Sequence, residues 1–402
     1  MQPIDVTALT ADPYGTYAAL REAGPVHRLI GPDGLPAWVV TRYEDVRRAL
    51  ADPRLSLDRS NALPGNYSGF ALPPALDANL LNMDPPDHTR VRRLVAKAFT
   101  PGRVDRLRAP VREAAGELLD AIEAEGTGRT DLLATYAGPL PIVVICDLLG
   151  VPRHARRDFR AWTDALVTPD RERPHLMKEA IGGLMRYITG LIAAKRAEPG
   201  DDLLSDLIAV RDGQDALSED ELTSLAFLIL FAGYENTVHL IANGVLALLD
   251  HPELLRELRA NPDGLGAAVE ELNRWDGPLP LAIRRFPLED VEIGGVSVPA
   301  GETVLLSLAS ANRDPDRFPD PDRLDLRRET SGHLGMGHGI HYCLGAPLAR
   351  METETALAAL LERFEKLELD VPRESLTWRP AIRARGLNSL PVRWQSATRT
   401  DF

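Results

Sequence analysis

The sequence has little cysteine, no excess of positive charge and no long apolar run. Two cysteines in 402 residues are too few for a disulfide framework and fit a reducing compartment. The net charge of -13 disfavours binding to nucleic acid or to an anionic membrane surface. No run of about 18 apolar residues predicts a membrane-spanning helix, and residues 1–15 lack the basic and apolar regions of a signal peptide. We therefore expect a cytoplasmic protein that binds neither nucleic acid nor membrane.

The remaining composition is that of a globular protein. Hydrophobic residues make up 44% of the chain, which is enough for a large buried core. The 32 prolines and 31 glycines are spread throughout, and neither a low-complexity linker nor an internal repeat divides the sequence. We therefore predict one domain that spans residues 1–402.

The N-terminal half begins with strands and continues with helices. Short β-rich segments at 26–30 and 37–41 flank a glycine-containing turn, and a helical pattern begins at Tyr43. Residues 59–82 have no firm period and predict a long irregular loop, which in a compact domain is often functional. From residue 88 to about 195 the pattern is helical with short breaks.

The C-terminal half adds a long central helix and a small β region. A capping box at Ser218–Glu221 begins an apolar helix that continues to Leu249. Residues 291–308 have strand patterns with glycine turns, and another helix is predicted from 344 to about 364. The fold class is therefore mainly α with a small β region.

The segment 333–345 is the most informative in the chain, and it reads HLGMGHGIHYCLG. Its glycines permit close backbone approach and unusual dihedral angles, both of which a flat macrocycle lying against the loop would need. Cys343 lies where a helix begins, and a helix N-terminus favours the thiolate.

Two other interpretations of this segment are open on the residues alone. Zinc is one, because His333, His338 and His341 lie near Cys343, although one thiolate with three irregularly spaced histidines matches structural zinc sites poorly. A buried cysteine without chemistry is the other. The second cysteine, Cys146, lies in an apolar helical segment and is predicted to be such a core residue.

Residues 336–345 resemble the haem-binding signature of the cytochrome P450 family, F-x-x-G-x-x-x-C-x-G, and the resemblance extends over essentially the whole chain. It implies the single-domain cytochrome P450 fold, haem b as the cofactor and Cys343 as the thiolate ligand of the iron. Met336 stands where the family has phenylalanine, near the thiolate, and is expected to tune the iron. Gly337 and Gly345 are assigned to the same cofactor site.

Basic residues distant in sequence are implied to hold the haem propionates. Residues 83–92 resemble the beginning of the family's C helix, in which positions 88 and 92 share one face. Arg285 is preferred to Arg284 because it precedes Gly294 by nine residues, the family's spacing. By resemblance the propionate partners are His88, Arg92, Arg285 and His341, since cations suit carboxylates.

A structural ion-pair network is implied by two further motifs. Glu271 and Arg274 match the family's E-x-x-R, and residues at i and i+3 share a helix face. Arg323 resembles the arginine of the later P-x-R-F element, with Leu324 in place of phenylalanine. A second guanidinium can bind the same carboxylate, so we expect a Glu271–Arg274–Arg323 network with a structural role.

The segment 232–237 resembles the family's oxygen-activating motif, A-G-x-[DE]-T. Ala232 and Gly233 would lie over the haem, where a local distortion of the helix is expected to open a groove for O2. Glu235 matches the acid that delivers protons, but Asn236 stands in the threonine position. A carboxamide has fixed donors and a fixed acceptor, so we expect water or a substrate hydroxyl to complete the relay. Thr237 would substitute if a bulge shifted the register.

The substrate wall is implied to come from five regions, namely residues 59–82, 165–175, 228–232, 279–283 and 383–387. The candidate contacts are Leu228, Ala232, Leu281, Ile283 and Ala384. Most of these positions are apolar or small, as in many ligand pockets. The substrate class suggested by family analogy is a small organic secondary metabolite such as a macrolide, polyketide or cyclic peptide.

The leading function is that of a monooxygenase, which inserts one oxygen atom of O2 into a substrate by hydroxylation or epoxidation. No segment of the 402 residues is left for a reductase, so ferredoxin with ferredoxin reductase is the expected electron source. Arg92, Arg93 and Lys97 would offer it a positive surface. Two alternatives are oxidative coupling or desaturation without oxygen insertion, and a non-enzymatic haem-thiolate sensor. The acid at Glu235 argues against the sensor.

Overall fold

The computed structural model describes residues 4–31, 34–67, 74–97, 99–167, 173–212 and 217–397. Helices dominate these ranges, as expected from the sequence. In chain order they are α1 (Val6–Ala11), α2 (Pro13–Ala23), α3 (Tyr43–Ala51), α4 (Pro74–Asp77), α5 (Asp87–Ala96), α6 (Pro101–Ala124), α7 (Pro139–Leu148), α8 (Arg156–Val167), α9 (Pro174–Ala197), α10 (Leu203–Asp212), α11 (Glu219–Asp250), α12 (Pro252–Ala260), α13 (Leu265–Asp276), α14 (Leu308–Asn312) and α15 (Ala346–Arg363).

Short strands form four small sheets at the edge of the helices. The strands are β1 (Ile4–Asp5), β2 (Val26–Ile30), β3 (Pro36–Val40), β4 (Leu55–Ser56), β5 (Arg129–Asp131), β6 (Phe286–Pro287), β7 (Val291–Ile293), β8 (Val296–Val298), β9 (Val304–Leu306), β10 (Phe364–Leu369) and β11 (Pro391–Ser396). Their orders are β1-β2-β3-β9, β10-β11-β5, β4-β6 and β7-β8. The prediction of a mainly α fold with a small β region is confirmed.

The four-stranded sheet joins the N-terminal strands β1, β2 and β3 to β9 of the C-terminal half. Strands β2 and β3 pair antiparallel, with Val26 opposite Val40, and β3 pairs parallel with β9, with Trp38 opposite Val304. The predicted strands at 26–30 and 37–41 and the helix from Tyr43 are confirmed to within one residue. Because β9 comes more than 260 residues after β3, this pairing brings the segment before β9 against the N-terminal region.

The predicted run of helices from 88 to 195 is interrupted by one strand that the sequence pattern did not reveal. Strand β5 pairs with β11, with Asp131 opposite Pro391. Three residues give too short a pattern for a strand, and the partner lies far away in sequence. In the predicted loop 59–82, the described part is irregular apart from α4 and a single 3-10 turn, and residues 68–73 lie outside the described ranges.

Helix α11 runs through the centre of the largest core cluster. The predicted capping box is present: Glu221 N–H donates to Ser218 Oγ at 3.0 Å, and Ser218 N–H donates to a Glu221 carboxylate oxygen at 2.8 Å. By length and composition, α11 could cross a membrane, with a mean hydropathy of 1.5 over 18 residues, which the expectation of no such helix overlooked. Of that window 61% is buried inside the protein, as in a core helix.

Candidate functional site

The loop that contains Cys343 is closed by its own backbone before α15 begins. Cys343 N–H donates to the Met336 carbonyl at 2.9 Å. Gly337 and Gly339 have φ values of +76° and +72°, in the left-handed region that favours glycine. A Cβ on Gly339 would also lie 3.1 Å from the Leu50 carbonyl oxygen. The glycines therefore allow a tight loop that lies directly against α3.

Cys343 projects from this loop at the N-terminal end of α15. Its side chain is solvent-accessible, yet it lies deep enough among protein atoms that burial raises the pKa of its thiol. The backbone N–H groups of Gly345 and Ala346 and the charges of Arg92 and Arg350 lower that pKa, as expected at a helix start, but burial is the larger effect. A side chain that is solvent-accessible and yet surrounded by protein atoms is one that faces an internal cleft.

An ion-pair cluster that the sequence analysis missed anchors both ends of the loop. Glu270 of α13 accepts from His333 Nε2 at 2.9 Å and from Arg350 of α15 at 2.5 and 2.9 Å. Arg350 also donates to the Tyr342 hydroxyl at 3.0 Å. Burial alone would raise the pKa of Glu270, but these two hydrogen-bond donors outweigh it and bring that pKa to about 2. Glu270 thus fixes the loop on either side of Cys343.

The zinc interpretation of the loop is wrong. Across the described ranges, no three side chains of His, Cys, Asp or Glu come together closely enough to hold a metal ion. His333 instead binds Glu270, and the His341 ring packs on His88. The prediction for Cys146 is confirmed, because this side chain is fully buried in the core beneath α11.

The four residues predicted to bind propionates lie together beside the Cys343 loop. The rings of His88 and His341 have centroids 4.2 Å apart. Arg92 donates to the Tyr342 carbonyl at 2.6 Å, and Arg285 donates to the Ile283 carbonyl at 2.9 Å. Both ring nitrogens of His88 and Nε2 of His341 are buried without a hydrogen-bond partner. Helix α5, the Cys343 loop and the segment before β6 thereby bring four basic groups to one place.

The electrostatics of this cluster favour an anion. Burial, followed by the charges of His88, Arg285 and Arg92, lowers the pKa of His341 to about 3. Burial likewise lowers the pKa of Arg285, to about 10. Asp84 is the nearby carboxylate, and it is already bonded to the Ser56 hydroxyl and to Leu57 N–H. Basic groups that lower one another's pKa repel each other when they are protonated. A negative group that binds among them therefore stabilises their charged forms.

The buried Glu–Arg–Arg network is present, but its second arginine is Arg328. Arg274 binds Glu271 with two hydrogen bonds of 2.6 and 2.8 Å, and both side chains are fully buried. Arg328 Nε donates to the same carboxylate at 3.2 Å. The prediction of Arg323 is wrong, because its side chain is 69% exposed and pairs with Asp325. Only the Arg323 backbone takes part, since its carbonyl accepts from Arg328.

The predicted oxygen-activating segment lies on a partly exposed stripe of an otherwise buried helix. Residues 222–227 and 237–248 of α11 are buried, whereas Leu228, Ala232, Gly233, Glu235 and Asn236 are partly exposed. The helix is regular across this segment, so the expected distortion at Gly233 is not found. Gly233 has a packing role instead: a Cβ there would lie 2.5 Å from Cδ1 of Ile145 in α7.

Glu235 is held by two residues that the sequence did not reveal. Arg379 Nη1 donates to Glu235 at 2.8 Å and lies 3.1 Å from Nε2 of His239. Burial raises the pKa of Glu235, and Arg379 opposes this effect. Burial and then Arg379 lower the pKa of His239 to about 4, so this imidazole is neutral at pH 7. No motif links residue 379 to residue 235, because the C-terminal turn meets α11 only in the folded chain.

Asn236 and Thr237 both bond back to their own helix. Asn236 Nδ2 donates to the Ala232 carbonyl at 3.2 Å, and Thr237 Oγ1 donates to the Gly233 carbonyl at 3.0 Å. Thr237 is 4% exposed. Because the helix contains no bulge, Thr237 cannot take the position of Asn236, and that suggestion is wrong.

Four of the five candidate substrate contacts are accessible enough to touch a ligand. Leu228, Ala232, Ile283 and Ala384 are partly exposed. Leu281 is 2% exposed and packs against the N-terminal sheet, so its assignment as a substrate contact is wrong. Residues 68–73 and 168–172, in two of the predicted wall regions, lie outside the described part of the chain.

Comparison with known proteins gives consistent matches. The family model described as Cytochrome P450 matches residues 142–265 and 265–382. The chain is 49% identical over 386 residues to "Cytochrome P450 monooxygenase PikC" of Streptomyces venezuelae, covering 96% of this chain and 92% of that protein. It is 44% identical over 400 residues to "Mycinamicin IV hydroxylase/epoxidase" of Micromonospora griseorubida, covering 97% of each. The solved structure of the ligand-free P450 monooxygenase TamI superposes with a TM-score of 0.88 at 45% identity, covering 98% of this chain and 94% of that one.

Proposed function

Since the chain belongs to the cytochrome P450 family and is a haem b-dependent monooxygenase, we propose that it inserts one oxygen atom of O2 into a small organic secondary metabolite by hydroxylation or epoxidation. The observation that carries this proposal is the Cys343 thiol, accessible at the start of α15 and flanked by four basic residues, none of which forms an ion pair with a carboxylate of the described residues. A thiol on one side and an anion site on the other match the two ways in which a protein holds haem.

The residues present fit the cofactor. A coordinated metal deprotonates a thiol outright, which overcomes the burial that otherwise keeps Cys343 protonated. The unpaired ring nitrogens of His88 and His341, with Arg92 and Arg285, offer donors to two propionates. When bound through a thiolate, the haem supplies reductive activation of O2 with a push toward O–O cleavage. The carbonyl of Met336, bonded to Cys343 N–H, holds the ligand loop in shape.

On the opposite side of the cleft, α11 positions the acid. Arg379 donates to the Glu235 carboxylate at 2.8 Å, and the imidazole of His239, which is buried in the core, completes the cluster. Glu235 remains partly exposed toward the groove, so it can pass a proton to a water there. The four candidate contacts that border the groove, Leu228, Ala232, Ile283 and Ala384, provide an apolar surface that orients the substrate.

Asn236 leaves the proton route without a side-chain hydroxyl. Its Nδ2 donates to Ala232, so the amide oxygen can accept a hydrogen bond but has no proton to deliver. We infer that a water or a substrate hydroxyl completes the route from Glu235. The variant Asn236→Thr supplies the missing hydroxyl and should change the share of reducing equivalents lost as peroxide. Asn261→Thr, at an exposed surface position, is the control. Unchanged coupling and products in Asn236→Thr would contradict this role.

The proximal face supports a ferredoxin as the electron donor. Arg93 and Lys97 are exposed on α5, one turn apart, beside Arg92. Ile340 and Tyr342, in the loop of Cys343, are exposed by 50% and 37%. A small apolar patch with a basic border suits an acidic redox protein, because charge complementarity speeds docking. We further propose that the protein acts in the cytoplasm, with ferredoxin and its reductase as the electron source.

Reconstituted turnover tests the function. Holoenzyme with ferredoxin, ferredoxin reductase, NADPH and a library of macrolides and other polyketides should give products heavier by one oxygen atom, labelled when the gas is ¹⁸O2. Products that lose two hydrogens without label would support oxidative coupling or desaturation instead. Ligand binding without consumption of NADPH across the library would support the sensor.

A further inference from the structure

Two neighbouring arginines, Arg284 and Arg383, form no ion pair with a carboxylate in the part of the chain that the structure describes. Arg284 is 8% exposed, and its Nε is buried without a hydrogen bond. Its guanidinium lies 4.7 Å from the centre of the Tyr67 ring and within hydrogen-bonding reach of the Tyr67 side chain, and Nη2 makes a long 3.4 Å contact with Asn82. In an extended segment neighbouring side chains point to opposite faces. Arg284 therefore faces the 59–82 loop, whereas Arg285 faces His341.

Arg383 approaches the same place from the C-terminal turn. Its side chain is solvent-accessible, yet burial lowers the pKa of its guanidinium, and Arg284 lowers it further. This combination of access and enclosure is the one seen at Cys343, so Arg383 also faces an internal cleft. Within the described ranges, Arg383 has neither a hydrogen bond nor an ion pair. Arg385, two residues later, forms an ion pair with Asp276. The two arginines of this turn therefore differ, and the described residues give Arg383 no such partner.

The charges around these arginines do not balance. Arg59 pairs with Asp77 at 2.5 Å, and Asn82 donates to the same carboxylate at 2.9 Å. The charges of that pair cancel. The described part of the cluster therefore carries the two positive charges of Arg284 and Arg383. Buried cations without partners cost free energy, and an anion bound between them offsets that cost.

Resting on the proposed function, we propose that the substrate carries an acidic group, a carboxylate in the simplest case, that binds to Arg383 and Arg284 between Tyr67 and the 383–387 turn. A guanidinium presents a planar fork that matches a carboxylate with two hydrogen bonds. The neighbouring Ile283 and Ala384 are apolar and partly exposed, so they suit the carbon skeleton next to the acid. The charged end would then fix how far the substrate reaches along α11.

The test compares matched probes that differ in charge. Decanoic and tetradecanoic acid, the corresponding primary alcohols and the corresponding primary amines are titrated into the holoenzyme. The amines are used as their N-trimethylated (quaternary) forms, because a primary amine would ligate the haem iron through its lone pair. Binding is read from the haem spin-state shift and independently by calorimetry. For at least one chain length, the acid should bind wild type about tenfold more tightly than its alcohol, which corresponds to about 1.4 kcal/mol, and the amine should bind most weakly.

The variants assign the effect to Arg383. Arg383→Gln should remove most of the acid's advantage, Arg383→Lys should retain part of it, and Arg383→Glu should favour the amine. Arg393→Gln, which breaks an exposed pair with Glu368, should leave the ratio unchanged. Equal affinity for acid and alcohol in wild type, no binding of any acid, or the same ratio in Arg383→Gln would overturn the proposal. If the carbon monoxide-bound spectrum of that same sample shows thiolate ligation, the proposed function stands even where the acid site fails. If the spectrum shows no thiolate ligation, the proposed function itself fails.

Discussion

The replacement of Arg328 by alanine distinguishes the network seen in the structure from the one that the motif predicts. Arg328 is 10% exposed at its side chain and donates to the fully buried Glu271 at 3.2 Å. Its Nη2 also donates to the Asp320 and Arg323 carbonyls at 3.0 Å each. Alanine removes all of these bonds and leaves the buried Glu271 carboxylate with the Arg274 guanidinium as its remaining cationic partner. Arg323→Ala is the matched control, because it retains the backbone carbonyl that Arg328 uses.

The expected loss of unfolding free energy follows from the bonds that Glu271 keeps in the variant. Removal of one partner from a buried ion pair costs about 3–5 kcal/mol. Arg274 still binds Glu271 with two hydrogen bonds, so the low end applies and we expect Arg328→Ala to lose about 3 kcal/mol of unfolding free energy. Arg323→Ala breaks only a surface pair and should lose about 0–1 kcal/mol.

Equilibrium urea unfolding, followed by tryptophan fluorescence and by the haem absorbance, measures both variants under identical conditions. Arg328→Lys should recover only part of the loss, because an ammonium cannot form the same planar fork. If Arg323→Ala lost as much free energy as Arg328→Ala, the assignment of Arg328 to the network would be refuted.

Three other predictions concern packing and buried charge. Gly233→Ala should lose about 1–2 kcal/mol of stability through the clash with Ile145, and the loss should shrink when Ile145→Val removes Cδ1; simple additivity in the double-mutant cycle would contradict this contact. The pKa of Glu270 is about 2 in the folded protein and near 4.5 in the unfolded chain. Its carboxylate therefore stabilises the fold above pH 4.5, and this contribution is lost as the pH falls toward 2. Glu270→Gln should therefore lose about 3 kcal/mol at pH 7, and the difference from wild type should shrink in urea titrations at lower pH; a pH-independent loss would argue against the ion pair. Burial raises the pKa of Glu352 to about 8, so this acid destabilises the fold progressively as pH rises from about 4.5 through 8; Glu352→Gln should be more stable than wild type at pH 9, and a less stable variant would show that the carboxylate has an unseen partner.

The fold class and the centre of the site could be predicted from the sequence because both depend on local patterns. The capping box at Ser218 sets the start of α11 by contacts three residues apart, and the structure shows both of its hydrogen bonds. The glycine loop around Cys343 is likewise local. The four basic residues predicted for the propionates lie together, although only resemblance to a family connected them before the structure was known.

The parts that could not be predicted depend on contacts between distant segments. Arg323 and Arg328 are five residues apart, and the sequence does not show which guanidinium turns inward. Arg379 reaches Glu235 across 144 positions, and Glu270 reaches Arg350 across 80. Leu281 was assigned to the substrate wall for its apolar side chain, but it is buried in the core. An apolar side chain fits a pocket wall and a protein core equally well, so the residue type does not distinguish them.

The reduced, carbon monoxide-bound spectrum of the purified protein tests the central claim most directly. A thiolate ligand from Cys343 predicts the red-shifted Soret band that gives the family its spectral signature. Cys343→His should lose that band while still binding haem, and Cys146→Ala, which alters only the buried core cysteine, should retain it. A wild-type protein that binds haem without the red-shifted band, or a Cys343→His variant that keeps it, would contradict the account.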